Sequence, residues 1–490
     1  MGARLNVLMI VTDQEQAPGV LPPVVSRPAL ESLLESGCEF RRHHTVALPC
    51  GPSRSALYTG LHTEHTGVHG NPGIGRDLGM SATVPTVGTA LRSHGYHTAY
   101  KGKWHVSAVP APAPFLSNTV SALEDFGFSD YSPGGDPVGV AWDGYRNDPV
   151  IAAEAAAWLH GDTGGRPDDA PWFLAVNFVN PHDIMFFDAT GSMNATRGSG
   201  SPRLPAPRDP LYDVDWDVEL PASLDEDRSR KPAAHARMMD RVEAFLGPVP
   251  TGDPEVWRRF RSYYFNCLRD VDRHVGTVLR ALEQSGQADR TVVVYTSDHG
   301  EAAGAHGMRE KPISVYREIV NIPLVVRHPH ATASTADLPT SALDIVPTVL
   351  DLAGISAREQ AEQVPHLRGH SLAPALVGDS VEGRGDRGVL LSMREPTRGG
   401  GAQDTESRGS LAALITSRWK LARYSAAGEH LPVEGGHVLQ DADLELYDTV
   451  ADPDEVNDLS MSAEHADVLT DLAGRLAGLV RDEVHGVHLN

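Results

Sequence analysis

Polar residues in this chain gather at the ends of its most apolar runs rather than inside them. Residues 5–13 (LNVLMIVTD), 171–183 (PWFLAVNFVNPHD) and 290–300 (RTVVVYTSDHG) are near-continuous stretches of Val, Leu, Ile, Met, Phe and Tyr that close on Asp, Asn or His. A strand covered on both faces reads this way, because neither face meets water. Between these runs the period changes. Residues 26–37 (SRPALESLLESG) predict a helix with Ser26 as N-cap, Pro28 in the first turn and Gly37 as the stop. Residues 83–95, 255–285 and 341–354 predict further helices, and 96–105 and 322–327 further strands. This alternation predicts an α/β fold with a mostly parallel sheet sandwiched by helices. Such sheets bind ligands beyond the carboxyl ends of their strands. Asp13, His182 and the pair Asp298–His299 all fall at such ends.

After about residue 365 the pattern changes again. GVLLSM, LAALITSRWKLARY and LELYD suggest antiparallel strands, followed by a helix near 462–484. The division expected is a large domain over 1–365 and a smaller C-terminal α+β domain with an antiparallel sheet over 366–490. Residues 183–250 form an irregular insertion rich in Pro, Asp and Ser, and residues 393–410 are Gly-rich. Long loops of this kind serve as lids or specificity walls.

The chain has 490 residues, 41% hydrophobic, with a formal net charge of −23. That acidity repels phosphate backbones and argues against nucleic acid as a partner. The lysines are Lys101, Lys103, Lys231, Lys311 and Lys420, in a chain whose cations are otherwise arginine. The cysteines, Cys38, Cys50 and Cys267, are odd in number and widely spaced, which favours a reducing compartment. The first apolar run is too short for a signal segment, and no stretch is long enough to span a membrane. A cytoplasmic location and no membrane association are the expectation.

Three features carry chemistry. Asp13, Gln14, Asp298 and His299 offer oxygen and nitrogen donors that suit a hard cation such as Ca²⁺, with the imidazole moving the preference towards Mn²⁺. Lys103 and His105, two apart in GKWH, can bind an anion and move a proton. Cys50 precedes a predicted helix start, where a cysteine is either a small buried hydrophobe or an activated thiolate.

Cys50-Gly51-Pro52-Ser53-Arg54, with Thr59-Gly60 downstream, resembles the type I sulfatase signature C-x-P-S-R-x-x-x-x-T-G. TDQ, GKWH, NPH, SDHGE and the lysine of REKP follow in the family's order, and LELYDTVADPDEVNDL resembles its C-terminal segment. The resemblance covers nearly the whole chain and implies an alkaline-phosphatase-like fold. It also implies that a maturation enzyme converts Cys50 to Cα-formylglycine, whose hydrate attacks the sulfur of a sulfate ester. One hydroxyl becomes sulfated, and the second expels sulfate as the aldehyde re-forms.

By the same resemblance, Asp13, Gln14, Asp298 and His299, with Cys50 beside them, match the metal positions. Arg54 matches an arginine supporting the modified cysteine. Lys103 and Lys311 match lysines that hold sulfate, and His105 and His182 match histidines that assist elimination and protonate the leaving oxygen. Asp-Gln and Asp-His in the metal motifs, together with Asn71 as a substrate contact, look like the branch of choline sulfatases and phosphonate monoester hydrolases. A homo-oligomer is compatible with that branch. The retained Lys103–His105 pair points to a small organic sulfate ester as substrate. A phosphonate or phosphate ester hydrolase, and a silent binding protein with unmodified Cys50, are the competing readings. Residues 107–150, the 183–250 insertion and the C-terminal domain are the expected walls around the leaving group, with Trp142, Phe186 and Trp216 as candidates.

Overall fold

The computed structural model describes residues 4–73, 79–109, 120–132, 134–163, 165–191, 203–247, 252–381, 387–394, 409–426, 429–440 and 442–485. Its central sheet has seven strands: β1 (Asn6–Asp13), β2 (Cys38–Phe40), β3 (His97–Gly102), β4 (Trp172–Pro181), β5 (Thr291–Ser297), β6 (Leu324–Arg327) and β7 (Ser334–Ala336). Their spatial order is β3-β4-β1-β5-β6-β2-β7. β1 lies at the centre, parallel to both β4 and β5, and β6 runs antiparallel to β5 and β2. The parallel registers bring the carboxyl ends of β1, β3, β4 and β5 to one edge.

Side chains alternate across β1, and each face has its own core. Val7, Met9 and Val11 face a layer that includes Leu57, Leu91, Tyr100, Val346 and Leu350. Leu8 and Ile10 face Leu30, Ile151, Trp158, Val271 and Val275. Burying each such aliphatic side chain contributes about 1.5–3 kcal/mol.

Among the described helices are α1 (Pro28–Ser36), α2 (Cys50–Thr59), α3 (Val87–Arg92), α4 (Asp143–His160), α5 (Ala233–Leu246), α6 (Pro254–Gln284), α7 (Ile345–Leu352) and α8 (Ala466–Leu479). The expected helices are present with shifted ends, joined by two that the sequence did not predict, α4 and α5. Arg27, not Ser26, is the N-cap of α1. The Ser26 hydroxyl goes to Glu31, while Asp272 of α6 takes the N–H groups of Ala29 and Leu30. A buried carboxylate from another helix thus does the capping that the sequence assigned to a local serine. The 183–250 insertion is not irregular throughout, because it contains α5.

The C-terminal segment forms a four-stranded antiparallel sheet, β8 (Val389–Arg394), β9 (Ser410–Ile415), β10 (Trp419–Ser425) and β11 (Asp443–Asp448). One face packs on α8 through Leu414, Leu421, Leu446, Leu472 and Leu476. The other shares a core with Val46, Leu48, Met308, Val315 and Tyr316. Within the Gly-rich stretch 393–410, residues 395–408 lie outside the described residues. No helix among the described residues is long and apolar enough to cross a membrane.

Candidate active site

Cys50 is the first residue of α2, and all ten residues of that helix are buried. Gly51 explains the close fit at this end. A Cβ there would come within 3.0 Å of the Gly70 carbonyl and 3.1 Å of the His105 carbonyl. The Gly51 N–H donates to Asn71 Oδ1 at 2.9 Å. Asn71 therefore spends its carbonyl oxygen on the helix N-terminus. Ser53 donates to the Asp298 carbonyl at 2.5 Å, tying α2 to the tip of β5.

Around Cys50 the strand ends converge. Its Sγ lies 3.2 Å from His299 Nε2 and 3.8 Å from Asp13 Oδ1. Asp13, Cys50, Asp298 and His299 offer ligand atoms all within 4.8 Å of one another. His299 Nδ1 lies 2.9 Å from the Gly300 carbonyl, which fixes the proton on Nδ1 and leaves Nε2 facing inward. Two buried carboxylates and an inward imidazole form a donor set that fits a divalent cation. Gln14 sits at φ 74° with its N–H on Asp298 Oδ1 at 3.1 Å. Its Oε1 accepts from Lys311 Nζ at 2.6 Å, and its Nε2 donates to Glu301.

Arg54 binds the two strand-tip acids together. Nε donates to Asp298 Oδ2 at 2.9 Å and Nη2 to Asp13 Oδ2 at 3.2 Å. Nη1 reaches the Lys103 carbonyl at 2.9 Å and Asn177 Oδ1 at 3.1 Å. Lys103 Nζ lies 2.7 Å from Asp13 Oδ2. Burial pushes the Asp13 carboxyl up, but the permanent charges beside it, Lys103 first and then Arg54, help to hold Asp13 well below the usual carboxylate range. Burial lowers Lys103 and Lys311, and the anionic groups around each more than reverse this, so both remain protonated.

His105 and His182 sit on the cationic side of this cluster. Burial, then Lys103, pushes both well below the ordinary imidazole range, so both rings are neutral at pH 7. Their Nδ1 atoms are buried and without a hydrogen-bond partner. His105, at φ 51°, is held through its N–H to Asp136 Oδ2 at 2.9 Å. His182 follows β4, and its ring lies against Gly139, where a Cβ would come within 2.6 Å of Nδ1. Phe186 packs beside it, ring centroids 6.1 Å apart. Trp142 hydrogen bonds to the Pro205 carbonyl, whereas Trp216 packs on α6 through Asn266 and does not join the cluster.

The structure thus brings together Asp13, Gln14, Cys50, Arg54, Lys103, Lys311, Asp298 and His299, with His105 and His182 alongside. It also reveals positioning residues that the sequence reading passed over. Asp136 takes the N–H groups of both Trp104 and His105 at 2.9 Å. Asn177 Oδ1 accepts from Arg54 and from Tyr58 OH. Glu301 holds Gln14 and the Glu310 N–H, and burial raises its carboxyl to about 7. Asn177 had a readable signal, a polar residue inside the apolar run of β4.

The family model described as Sulfatase matches residues 6–355. An uncharacterized sulfatase of Escherichia coli, YidJ, is 27% identical over 73% of this chain and 69% of its own. The choline-sulfatase of Rhizobium meliloti is 26% identical over 76% of this chain and 72% of its own. The crystal structure of the phosphonate monoester hydrolase of Agrobacterium radiobacter superposes with a TM-score of 0.72 at 22% identity, covering 98% of this chain and 96% of that one.

Proposed function

The chain belongs to the sulfatase family and is a sulfuric ester hydrolase, and from that premise we propose that it cleaves a small organic sulfate monoester at Cys50, matured to Cα-formylglycine. The observation that carries this reading is the placement of Cys50. It opens a fully buried helix, 3.2 Å from His299 Nε2, with Lys103 and Lys311 both held protonated around it. A formylglycine hydrate there would supply the nucleophilic oxygen, and a maturation enzyme that reads Cys50-Gly51-Pro52-Ser53-Arg54 would install it.

Asp13, Gln14, Asp298 and His299 would hold one divalent cation, with Ca²⁺ favoured by the oxygen donors and Mn²⁺ the alternative. The cation would polarise a sulfate oxygen. Lys103 and Lys311 bind and orient the other sulfate oxygens. Charge grows on the transferring group and the leaving oxygen, and fixed cations in a dry site stabilise it strongly. His182, neutral in the free protein, takes up a proton as the anionic ester enters beside it and delivers that proton to the leaving oxygen. His105 stands on the Cys50 side and accepts the proton released when sulfate departs. Arg54 helps to keep Asp13 ionised and anchors both Asp13 and Asp298. The Asn71 amide nitrogen is left to meet the substrate.

Peptide mass spectrometry of the active protein tests the premise, since conversion of Cys50 removes about 18 Da from its peptide. Active protein from a host with the maturation system, carrying only unmodified Cys50, would refute it. Cys50→Ala abolishes turnover with the unfolding midpoint unchanged. An aryl sulfate is expected to show the higher kcat/KM against a phenyl phosphonate, and the reverse order would make the chain a phosphonate hydrolase on the same scaffold.

A further inference from the structure

To protonate a leaving oxygen, His182 must present its ring at one angle. Its Nδ1 is buried and makes no hydrogen bond that would set that angle. Packing defines the ring instead, with Gly139 against Nδ1 and Cε1, and Phe186 beside it, backed by Ala141 and Leu246. A ring held in this way is only as well placed as the backbone that carries it. That backbone leaves the sheet just before His182. β4 keeps register with β1 as far as Asn177 opposite Val11, and the register then slips before Pro181 comes opposite Asp13. The N–H groups of Val179 and Asn180 fall in this irregular stretch. Asp148 of α4 accepts both, at 2.7 and 2.9 Å.

On the other side of His182 the exchange runs the opposite way. Asp183 accepts from the N–H groups of Gly144 and Tyr145, in the first turn of α4, at 3.0 and 2.9 Å. Gly144 permits the approach, since a Cβ there would come within 2.4 Å of Asn180 Cγ. Asp143 accepts the Gly139 N–H at 2.8 Å and so holds that loop against the His182 ring.

Helix capping explains half of this arrangement. The open N–H groups of a first turn need an acceptor, and Asp183 supplies it from outside the helix. Capping does not explain Asp148, which stands further along α4 and serves the strand. Two buried carboxylates are also costly in desolvation. They are 0% and 1% exposed, and burial raises Asp183 to about 7 and Asp148 well above the ordinary carboxylate range, against the pull of the backbone N–H groups. What the pair achieves is geometric. The chain before His182 and the chain after it are each tied to α4 by two bonds.

We infer that Asp148 and Asp183 are positioning residues for His182, clamping the backbone on both sides of it so that its ring meets the leaving oxygen of the ester. The inference rests on the reading that His182 protonates that oxygen, and it holds for a sulfate or a phosphonate ester alike.

The dependence of rate on the leaving group tests it, because a merely structural role would not move that dependence. The 4-nitrophenolate departs with little help, whereas the more basic phenolate needs the proton. In Asp183→Asn and Asp148→Asn, kcat/KM for 4-nitrophenyl sulfate is expected to fall less than about threefold, and that for phenyl sulfate at least about thirtyfold. Asp183→Glu keeps both acceptors and shifts the clamp by one methylene, so it gives the same comparison in a protein whose helix start stays capped. His182→Ala is expected to show the same selectivity more strongly. Adding Asp183→Asn to His182→Ala is expected to lower phenyl sulfate turnover less than about twofold further, since the clamp acts through the ring. Unfolding midpoints establish that each variant is folded. Equal losses for the two esters in folded single variants, or losses that multiply in the double variant, would overturn the inference while His182 keeps its role. Equal losses for the two esters in His182→Ala would bring down the reading of His182 and the inference with it. If the sulfates are not cleaved, phenyl and 4-nitrophenyl phosphonates take their place and the same outcomes decide.

Discussion

Asp136 shows how a residue that touches no substrate can govern one that does. Its two oxygens take the N–H groups of Trp104 and His105, so it fixes the backbone turn on which the His105 ring stands. Asp136→Ala leaves two N–H groups unpaired beside the site. The expected cost is about 1–3 kcal/mol of stability and about a tenfold to hundredfold loss in kcat from misplacement of His105. Asp136→Asn keeps one acceptor and recovers part of kcat. Steady-state kinetics with a denaturation curve separate the two effects, and an unchanged kcat in the alanine variant would make Asp136 purely structural. Asp13, Asp298, Cys50 and Lys103 were legible in the sequence, because each stands in a motif at a strand end or helix start, whereas Lys311 was legible only through the resemblance to the sulfatase motif order. Asp136 and Glu301 were not legible, since their partners are backbone groups and side chains from elements elsewhere in the sequence, and no spacing rule marks such a bond; Asn177 showed only as a polar residue inside an apolar run, with nothing to name Arg54 and Tyr58 as its partners.

Strands were easier to read than helices for a related reason. β1, β4 and β5 are buried on both faces, so their apolar runs are nearly unbroken. α5 buries only Ala234, His235 and Leu246, a stripe too thin to show a period among the surrounding prolines and acids. Yet α5 carries Leu246 to the wall beside Phe186. The loop before α4 matters in the same way. Gly139 has φ +93°, and its missing Cβ leaves room for the His182 ring. Gly139→Ala is both conformationally strained and in collision with that ring. Its expected signature is a loss of at least about tenfold in kcat with the unfolding midpoint lowered only modestly, because the loop lies outside the sheet core. An alanine variant with full kcat would show that His182 has room to move without consequence.

Where the C-terminal sheet meets the rest of the protein, the contact is built from buried charges as well as apolar side chains. Lys420 of β10 pairs with Glu455 at 2.5 Å and donates to the Val315 carbonyl at 2.8 Å. Glu445 of β11 accepts from the phenols of Tyr316, Tyr424 and Tyr447. His44 lies within reach of this charge. Burial, then Lys420, pushes its imidazole down to about 3, against the weaker pull of the Thr340 carbonyl, 3.3 Å from Nδ1. In the unfolded chain the same group titrates near ~6.5. Below that pH the unfolded state binds a proton that the folded state refuses, so folding stability falls as pH falls from about 6.5 towards 3. Each pH unit in that window costs up to ~1.4 kcal/mol. His105, His182 and His235, also depressed by burial, act with the same sign. His44→Asn removes one titrating group and keeps an amide to meet Thr340. Urea unfolding at pH 7 and pH 5 is therefore expected to show the variant losing less stability than the wild type on acidification, by about 2 kcal/mol. Parallel losses in the two proteins would mean that His44 is protonated in the folded state, and that the contact between the C-terminal sheet and the central sheet tolerates a further buried charge.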